Sequence, residues 1–489
     1  MALLETQVGQ LVDTTLLLCL LLVVLFLILV KDSKSVYLPP GPWGVPVLGV
    51  LPFLRKDPQL TLMEWAKKYG NIFTVKMGTR TIVMLNGYEA IRDVFQRKGA
   101  LSSGRPHLLT FDFLRGKGIL CADYSKGFKR QREFIIKYLS KLDVEKHTED
   151  EIDALIQYIR HKNGQPFDFN NAVSASTSNV IGTILFGSRQ EYDDPDFQAL
   201  INAYHNAAKL SSQASVQNFL PFLWFLPQCR KLSIAWEAFA EAVNRILEKH
   251  KMGYNPLATR GLIDTMMHQT NENNQNSKSL FDTEDLKANC QTLYVTGSET
   301  TSTALTWGML FLLSYPDVCK KLQSELDEVV GKSRRPTLED RPKLPFTCAT
   351  LMELQRCNNI TPFSAPHKAT QDIRVHGYLI PKGTQLMANY WSIFMNERIW
   401  SNPHDFQPMR FMDDCGNVKK VEGFIPFSLG KRSCPGESLA KPEMFLILTA
   451  LVHTFTFQVP DGEVLPAPVG TTGSVYVPPK FTVCARPRT

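Results

Sequence analysis

The sequence lacks the paired cysteines that mark a disulfide framework or a zinc module. Its ten cysteines are scattered and none belongs to a CxxC pair, which favours a reducing compartment for the bulk of the chain. It has no long lysine or arginine run and a modest net charge of +7, so we expect no nucleic-acid partner. No glycine-rich dinucleotide fingerprint and no flavin site is evident either.

The amino-terminal segment has no lysine or arginine before Lys31. Residues 16–30 form an unbroken apolar run, about 22 Å of helix, and flanking residues bring it near the roughly 20 residues that a bilayer needs. A cleaved signal peptide would carry basic residues ahead of such a run. Here an acidic residue, Asp13, precedes the run, and two basic residues, Lys31 and Lys34, follow it. The positive-inside rule therefore places the rest of the chain in the cytoplasm. We predict a membrane anchor over residues 1–35.

The remaining chain has the length and composition of a folded protein with a large core. Its 489 residues are 44% hydrophobic and 21% charged. Residues 38–46 are rich in proline and form a stiff, extended lead. Because no repeat or low-complexity stretch follows, we interpret residues 36–489 as one catalytic domain.

Strand signals are few, and helical periodicity dominates. We expect strands at residues 71–75 and 81–85 around a turn at Gly78, another at residues 373–380, and an extended tail. Residues 283–315 have helical spacing and are followed by a proline, which predicts one long helix. The expected fold class is mainly α with a small β component.

The most informative segment surrounds Cys434. A lone cysteine is usually a small buried apolar residue. Here Pro435 follows it, and proline is favoured at the first position of a helix, so Cys434 is expected where a helix begins before the apolar stretch 439–451. Unpaired N–H groups and the helix dipole favour a thiolate there, and a thiolate can serve as an axial haem ligand.

The neighbours of this cysteine suit a flat, acidic cofactor. Gly430 and Gly436 allow backbone to approach it, Phe427 can pack beneath it, and Arg432 can meet a carboxylate of its rim. With Cys434, these residues match the haem-binding signature of the cytochrome P-450 superfamily, which the chain resembles along nearly its whole length. The resemblance implies the cytochrome P-450 fold with an N-terminal transmembrane anchor. It also implies haem b (iron protoporphyrin IX), with Cys434 as the protein ligand of the iron.

Glu353 and Arg356 are three apart on a predicted helix, a spacing that most often gives only a solvated ion pair. The resemblance implies instead a buried pair completed by Arg410 that supports the cysteine loop. Met409 stands where the superfamily commonly has glutamate, a departure expected to weaken a secondary contact and not the network.

The long predicted helix contains a segment, residues 296–301, that resembles the superfamily's oxygen-activation motif. Gly297 would let dioxygen lie against a locally opened helix, although a bland kink with a polar face is the alternative. A hydroxyl beside a carboxylate suits proton delivery, so Thr300 and Glu299 are the candidate catalytic residues, with Glu299 as the link to solvent. Thr296 stands at the first position of this motif, where the superfamily usually has alanine or glycine. Its larger, polar side chain would either narrow the pocket or bind a substrate oxygen.

Two cationic side chains are expected, from the resemblance, to hold the haem propionates. Arg132 lies four residues after Phe128, which replaces the superfamily's usual tryptophan, so an indole N–H is lost while the charge-assisted bond remains. His367 is selected through its position after the Glu353 and Arg356 pair, although a lone histidine is more often bonded to local backbone.

The resemblance implies a membrane-bound monooxygenase that hydroxylates a lipophilic small molecule of the steroid, fatty-acid or xenobiotic class. Residues 39–42, 122–125 and 483–487 are similar to those of animal microsomal enzymes that oxidise drugs and steroids, which implies the endoplasmic reticulum membrane. NADPH-cytochrome P-450 reductase is then the expected electron donor, with cytochrome b5 as a further candidate partner. Two alternatives are a haem-thiolate isomerase or dehydratase that needs no dioxygen, and a membrane-tethered haem sensor. The pair of Glu299 and Thr300 would have no purpose in either.

Overall fold

The computed structural model of the chain describes residues 38–272, 279–473 and 475–488. The membrane anchor predicted over residues 1–35 lies outside these residues. Among the described helices, none is both long and apolar enough to cross a membrane.

Helices make up most of the described structure, as expected. The longer ones are α1 (Pro58–Tyr69), α2 (Lys126–Leu139), α3 (Val144–His161), α4 (Phe169–Phe186), α5 (Pro195–Ala214), α6 (Pro227–Met252), α7 (Leu262–Glu272), α8 (Thr283–Ser314), α9 (Pro316–Val329), α10 (Pro345–Asn358) and α11 (Glu437–Thr454). Short helical turns occupy Leu51–Phe53, Tyr88–Ile91, Arg92–Arg97, Gly99–Ser102, Leu109–Leu114, Gly118–Cys121, Ser215–Asn218, Pro221–Phe225, Arg341–Lys343, Trp391–Phe394, Pro408–Phe411 and Gly430–Arg432.

The strands are short and form small sheets. They are β1 (Ile72–Met77), β2 (Arg80–Asn86), β3 (Phe167–Asp168), β4 (His367–Lys368), β5 (Ile373–Val375), β6 (Tyr378–Ile380), β7 (Gln385–Asn389), β8 (Phe455–Gln458), β9 (Thr471–Thr472), β10 (Tyr476–Val477) and β11 (Thr482–Pro487). One sheet has the order β1-β2-β7-β4, in which β2 and β7 are parallel, and another has the order β3-β11-β8. Strands β5 and β6 form a pair, as do β9 and β10.

Two of the strand predictions have different outcomes. The hairpin around Gly78 is confirmed, since β1 and β2 pair antiparallel across that turn. The single strand expected at residues 373–380 is wrong: the segment folds back on itself as β5 and β6, with Ile373 opposite Ile380. The turn lies at His376 and Gly377, both at positive φ (47° and 83°). Apolar residues alternate similarly in both arms, so the pattern alone does not reveal the turn.

Helix α8 is the long helix that the sequence predicts, and it organises the core. It begins after Asp282, whose side chain accepts from the Asp285 N–H at 2.6 Å, and ends before Pro316. One apolar cluster surrounds its carboxyl-terminal half around Trp307 and includes residues of α3, α9, α10 and α11. A second surrounds its amino-terminal half and includes residues of α4, α5 and α6. The middle of α8, near Thr300, is therefore where a cavity can open.

Candidate active site

The candidate site is a cavity between the middle of α8 and the cysteine loop, residues 427–436. Residues of the wall include Arg105, Thr300, Thr301, Ala304, Gln355, Ile360, Phe363, Ala365, His367, Phe427, Arg432, Cys434, Ala440 and Met444. Apolar side chains thus share the wall with one thiol, a threonine pair, two arginines and a histidine.

Cys434 reaches this cavity from a loop fixed by backbone bonds. Its N–H donates to the Phe427 carbonyl at 2.9 Å. Burial raises the pKa of the Cys434 thiol, and the Gly436 N–H, which donates to the sulfur, opposes that rise. The helix begins at Glu437, with Gly436 as its N-cap, so the expectation that it begins at Pro435 is wrong by two residues. A metal ion on the sulfur would reverse the pKa shift, because a coordinating thiol is deprotonated.

Gly430 allows a close approach between two segments of the chain. Its φ is +83°, and a Cβ there would lie 1.9 Å from the Phe95 carbonyl oxygen. The residue therefore lets the cysteine loop approach the backbone of the turn Arg92–Arg97. Its expected role beside the cofactor stays a prediction. At Gly436 a Cβ would lie 4.0 Å from the Cys434 sulfur, which is ordinary contact.

Arg432 is buried on the cavity wall, and backbone carbonyls hold it. It donates to the carbonyls of Ser103, Ile119 and Ala122 at 3.0, 3.3 and 2.6 Å. Its guanidinium carbon lies 3.7 Å from the centre of the Phe128 ring, a cation–π contact. The phenylalanine that replaces the usual tryptophan therefore packs against this arginine.

Arg105 is a wall residue that sequence reasoning missed. Its guanidinium donates to the carbonyls of Leu120, Ala365 and Pro366 at 2.8, 3.2 and 2.7 Å. Burial lowers the pKa of Arg105 to about 10. The residue lies in a loop and belongs to no spaced motif, so no sequence signal distinguishes it from other arginines.

Arg132 completes a cluster of cations beside the cysteine. It donates to the carbonyl of Ser433, the residue before Cys434. Burial, and then the mutual repulsion of the arginines, lowers the pKa of Arg432 to about 9. Within the described parts of the chain, neither Arg105, Arg132 nor Arg432 forms an ion pair with a carboxylate. Buried cations of this kind require an anionic partner.

His367 is buried on the same wall and is neutral. Its ring stacks on Phe95, with centroids 4.0 Å apart, and its Nδ1 lies 2.8 Å from the Ser102 carbonyl. Burial and the charge of Arg105 keep the pKa of His367 well below its ordinary value. Since a carbonyl only accepts, Nδ1 carries the proton and Nε2 offers a lone pair. A carboxylate at Nε2 would therefore require His367 to take up a second proton.

Thr300 and Thr301 bring hydroxyl groups of α8 to the cavity. Thr300 Oγ1 donates to the Thr296 carbonyl at 2.7 Å, which leaves its lone pairs as acceptors. The helix runs through this segment without a break, so the locally opened helix that we expected at Gly297 is wrong. A Cβ at Gly297 would lie 2.9 Å from Ile181 of α4, so this glycine serves helix packing.

Glu299 is the second candidate catalytic residue on α8. The hydroxyl of Tyr204 on α5, a residue that sequence reasoning missed, influences the pKa of the Glu299 carboxyl. Burial raises the pKa of Glu299 to about 7, against the lowering effect of that hydroxyl. The carboxyl can therefore gain or lose a proton near neutral pH. The expected link from Thr300 to solvent through Glu299 stays a prediction.

Comparisons with known proteins assign this arrangement to a family. The sequence model of the family described as Cytochrome P450 matches residues 39–485. The chain is 34% identical over 487 residues to "Vitamin D(3) 25-hydroxylase" of Sus scrofa, covering 96% of this chain and 97% of the relative. It is 35% identical over 466 residues to "Cytochrome P450 2D4" of Rattus norvegicus (92% and 93%). It is 33% identical over 469 residues to "Cytochrome P450 2J2" of Homo sapiens (94% and 93%).

The chain belongs to the cytochrome P450 family. It is therefore a monooxygenase, and the family binds haem b through a cysteine thiolate, so the predicted family, enzyme class and cofactor are confirmed. The mainly helical fold with a small β component is also confirmed.

The cavity of this cytochrome P450 fits haem b on two independent observations. The Cys434 thiol is accessible from the cavity, as an axial ligand must be. Arg105, Arg132 and Arg432 lack carboxylate partners among the described residues and lie beside it, where the haem propionates would supply the missing negative charge.

The Glu353 network of this cytochrome P450 is confirmed. Arg356 donates to both Glu353 oxygens at 2.7 and 2.9 Å, and Arg410 Nε donates to Oε1 at 2.8 Å. All three side chains are buried. Met409 is instead half exposed, with its sulfur 3.6 Å from Lys321 Nζ, so the replacement of glutamate at this position leaves the network intact.

Proposed function

We propose that this cytochrome P450 is a membrane-bound enzyme that hydroxylates a lipophilic small molecule of the steroid, fatty-acid or xenobiotic class. The observation that carries the proposal is that the Cys434 thiol and the Thr300 hydroxyl line one cavity. Apolar side chains such as Ala304, Phe363 and Ile360 share its wall and suit an apolar substrate. The name of one similar protein, "Vitamin D(3) 25-hydroxylase", is consistent with a lipophilic substrate.

Haem b, when bound, supplies the activation of dioxygen and the transfer of one oxygen atom. Cys434 would be the protein ligand of the iron, and Phe427, Gly430 and Gly436 would shape the loop that presents it. Arg132, Arg432 and Arg105 would bind the propionates, joined by His367 once it is doubly protonated. These assignments follow from the unpaired cations and from the accessible thiol.

Thr300 and Glu299 would handle the protons that the reaction consumes. The Thr300 hydroxyl donates within α8, so its lone pairs can hold a water molecule at the cavity wall. Glu299, the preceding residue, can hold or release a proton near neutral pH because its pKa is about 7. Together they form a short relay along one turn of α8.

Electrons would come from NADPH-cytochrome P-450 reductase, with cytochrome b5 as a second donor. The sequence carries no evident dinucleotide fingerprint or flavin site of its own. Helix α2, whose Arg132 donates to the Ser433 carbonyl of the cysteine loop, carries four exposed cations, Lys126, Lys129, Arg130 and Lys137, and Lys431 of the loop is also exposed. Such a surface suits an acidic partner.

The enzyme would sit on the endoplasmic reticulum membrane, with residues 1–35 as its anchor and residues 36–489 as a catalytic domain on the cytoplasmic side. A second contact with the membrane is proposed at the segment 219–226. Phe222, Trp224 and Phe225 are at least half exposed, which favours the membrane interface. Deletion of residues 1–35 should therefore release the protein from membranes only in part.

Reconstitution with the reductase tests the proposed function. The enzyme, reductase and NADPH are incubated under isotope-labelled dioxygen with vitamin D3, a fatty acid and a panel of lipophilic xenobiotics. We expect a hydroxylated product that carries one labelled oxygen atom and requires NADPH. Product formed without NADPH or dioxygen would indicate an isomerase, and a haem-loaded protein that turns over none of these compounds would contradict the proposal.

A further inference from the structure

A second cavity lies beside the active-site cavity, between the loop 105–123 and the segment 365–368. Arg105 and Ala365 border both cavities. The second cavity also has an apolar wall, which consists of Leu108, Phe111 and Leu120. None of these three residues borders the active-site cavity, so the second cavity can hold a ligand of its own.

Hydrogen bonds fix the two sides of the second cavity relative to each other. Arg105 donates to the carbonyls of Leu120 and Pro366, one on each side, at 2.8 and 2.7 Å. Lys368 Nζ donates to Asp123 Oδ2 at 2.8 Å, again from one side to the other. The shape of the cavity is therefore set by the fold and not by a chance gap between two loops.

The charged side chains on the wall of this cavity form pairs, with one exception. Lys368 is paired with Asp123. His107 Nε2 lies 2.7 Å from Asp112 Oδ1, and these two side chains are 68% and 48% exposed, so a ligand can enter from solvent there. Arg105 has no carboxylate partner among the described residues.

Arg105 keeps its positive charge at neutral pH. Burial lowers its pKa only to about 10. Cys121, also on the wall, cannot neutralise it, because burial raises the pKa of this thiol to about 11. The Nε and Nη1 groups of Arg105 donate to carbonyls, whereas Nη2 has no partner among the described residues. A cation with an unused donor in a partly buried site favours an anionic ligand.

Bound haem would not use up this charge. Three arginines border the haem site, Arg105, Arg132 and Arg432, whereas haem b carries two propionates, and the thiolate of Cys434 is balanced by the iron. One positive charge is left over. Of the three arginines, Arg105 is the one that borders the second cavity.

We propose that the second cavity is an effector site for a lipophilic carboxylic acid, whose carboxylate accepts from Arg105 and whose hydrocarbon part contacts the apolar wall. The carboxylate supplies the missing negative charge in a charge-assisted hydrogen bond. A small inorganic anion would leave the apolar wall in contact with water, so a hydrocarbon chain adds to the binding. The inference goes beyond the proposed function, because this ligand lies beside the substrate and is not itself hydroxylated.

Calorimetric titration of the full-length, haem-loaded enzyme with decanoate tests the site. Clotrimazole is first added to saturation, because its imidazole nitrogen ligates haem iron and its bulk fills the active-site cavity. The nitrogen-ligated absorption spectrum is followed to verify that clotrimazole stays bound. We expect decanoate to bind, and decan-1-ol, which has the same chain without the charge, to bind about 10- to 100-fold more weakly, since a hydrogen bond to a charged group is worth roughly that factor.

Arg105→Gln should remove the preference for the acid. Decanoate should bind about 10- to 100-fold more weakly than to the wild type, and no more tightly than decan-1-ol. Arg80→Gln is the matched control, because Arg80 also donates to backbone carbonyls, those of Asn218 and His107, but does not border the second cavity. It should bind decanoate as the wild type does.

Two further variants decide the matter if Arg105→Gln loses haem. Leu108→Glu places a carboxylate on the apolar wall and should weaken the binding of decanoate at least about tenfold. Asp112→Asn removes a negative charge at the entrance and should strengthen it about 2- to 5-fold.

Three results would overturn the proposal. They are no uptake of decanoate by the clotrimazole-saturated enzyme, equal affinities for decanoate and decan-1-ol, and an Arg105→Gln variant that retains both haem and the affinity of the wild type. If Arg105→Gln loses haem, a Leu108→Glu variant with the affinity of the wild type would overturn it instead. None of these measurements involves turnover, so a failure of the proposed hydroxylation would leave them unaffected.

Discussion

Glu353 and Glu299 lie on two helices that border the same cavity, yet their partners differ. Glu353 is fully buried and receives guanidinium donors from both Arg356 and Arg410. Among the described residues Glu299 has no ion-pair partner, and burial raises its pKa to about 7. A carboxylate that two cations neutralise and orient is a fixed part of the structure, whereas one without a cationic partner can exchange a proton near neutral pH. The number and charge of the donors thus separate a structural role from a proposed catalytic one.

The largest expected effect comes from the same substitution at the two sites. Glu353→Gln should lower the free energy of unfolding by about 3–5 kcal/mol, because it leaves two buried guanidinium groups without a counter-charge. Glu299→Gln should change it by less than about 1 kcal/mol, since no described cation loses its counter-charge when Glu299 is replaced. Chemical unfolding of both purified variants measures the difference, and equal losses would remove the basis of the comparison.

Thr300→Val tests the relay directly. Valine keeps the shape but removes the bond to the Thr296 carbonyl and the lone pairs that face the cavity. Loss of a proton relay costs about 10²–10⁴-fold in rate, so product per NADPH should fall and hydrogen peroxide should rise while haem content is retained. Thr301→Val is the matched control on the same wall. If the Thr300→Val variant keeps the product per NADPH of the wild type, proton delivery depends on another group.

The pH dependence of Glu299→Gln gives a smaller but more specific effect. In the wild type the carboxyl loses its proton as the pH rises through about 7, so product per NADPH should fall over that range. Glutamine does not ionise in this range. Product per NADPH in the Glu299→Gln variant should therefore be lower than in the wild type and should not change with pH. The ratio is measured from pH 6 to pH 8, and a variant that keeps the slope of the wild type would show that another group titrates.

Met409→Glu should have the smallest effect. Met409 is half exposed, and its sulfur lies near Lys321, so the glutamate would form at most a surface ion pair worth about 0.2–1 kcal/mol. Thermal unfolding should therefore change by a few degrees at most. A large stabilisation would mean that this position belongs to the Glu353 network after all.

The parts that the sequence could predict are those with local signals. The ends of α8 follow from the Asp282 cap and from Pro316, and the Glu353 and Arg356 pair follows from spacing on a helix together with the family resemblance. Cys434 is predicted as the iron ligand because its neighbours match the haem-binding signature of the family. Each of these signals lies within a few residues of the feature it predicts.

The parts that could not be predicted depend on contacts between distant segments. Tyr204 influences the pKa of Glu299 across almost a hundred positions of sequence, and Arg105 reaches the carbonyl of Ala365. Neither residue is part of a spaced motif, so the sequence gives no reason to prefer it to other tyrosines or arginines. The approach of Gly430 to the Phe95 backbone is likewise invisible in the sequence, because the two residues are far apart along the chain.

The most direct test of the central claim, that Cys434 is the iron ligand at the wall of this cavity, is the carbon monoxide difference spectrum of the reduced protein. We expect a thiolate-type spectrum in the wild type, its loss in Cys434→Ser, and its retention in Cys357→Ser and Cys484→Ser. Cys357 is a suitable control because it is a partly buried free cysteine beside the Glu353 network. A thiolate-type spectrum that persists in Cys434→Ser would contradict the account.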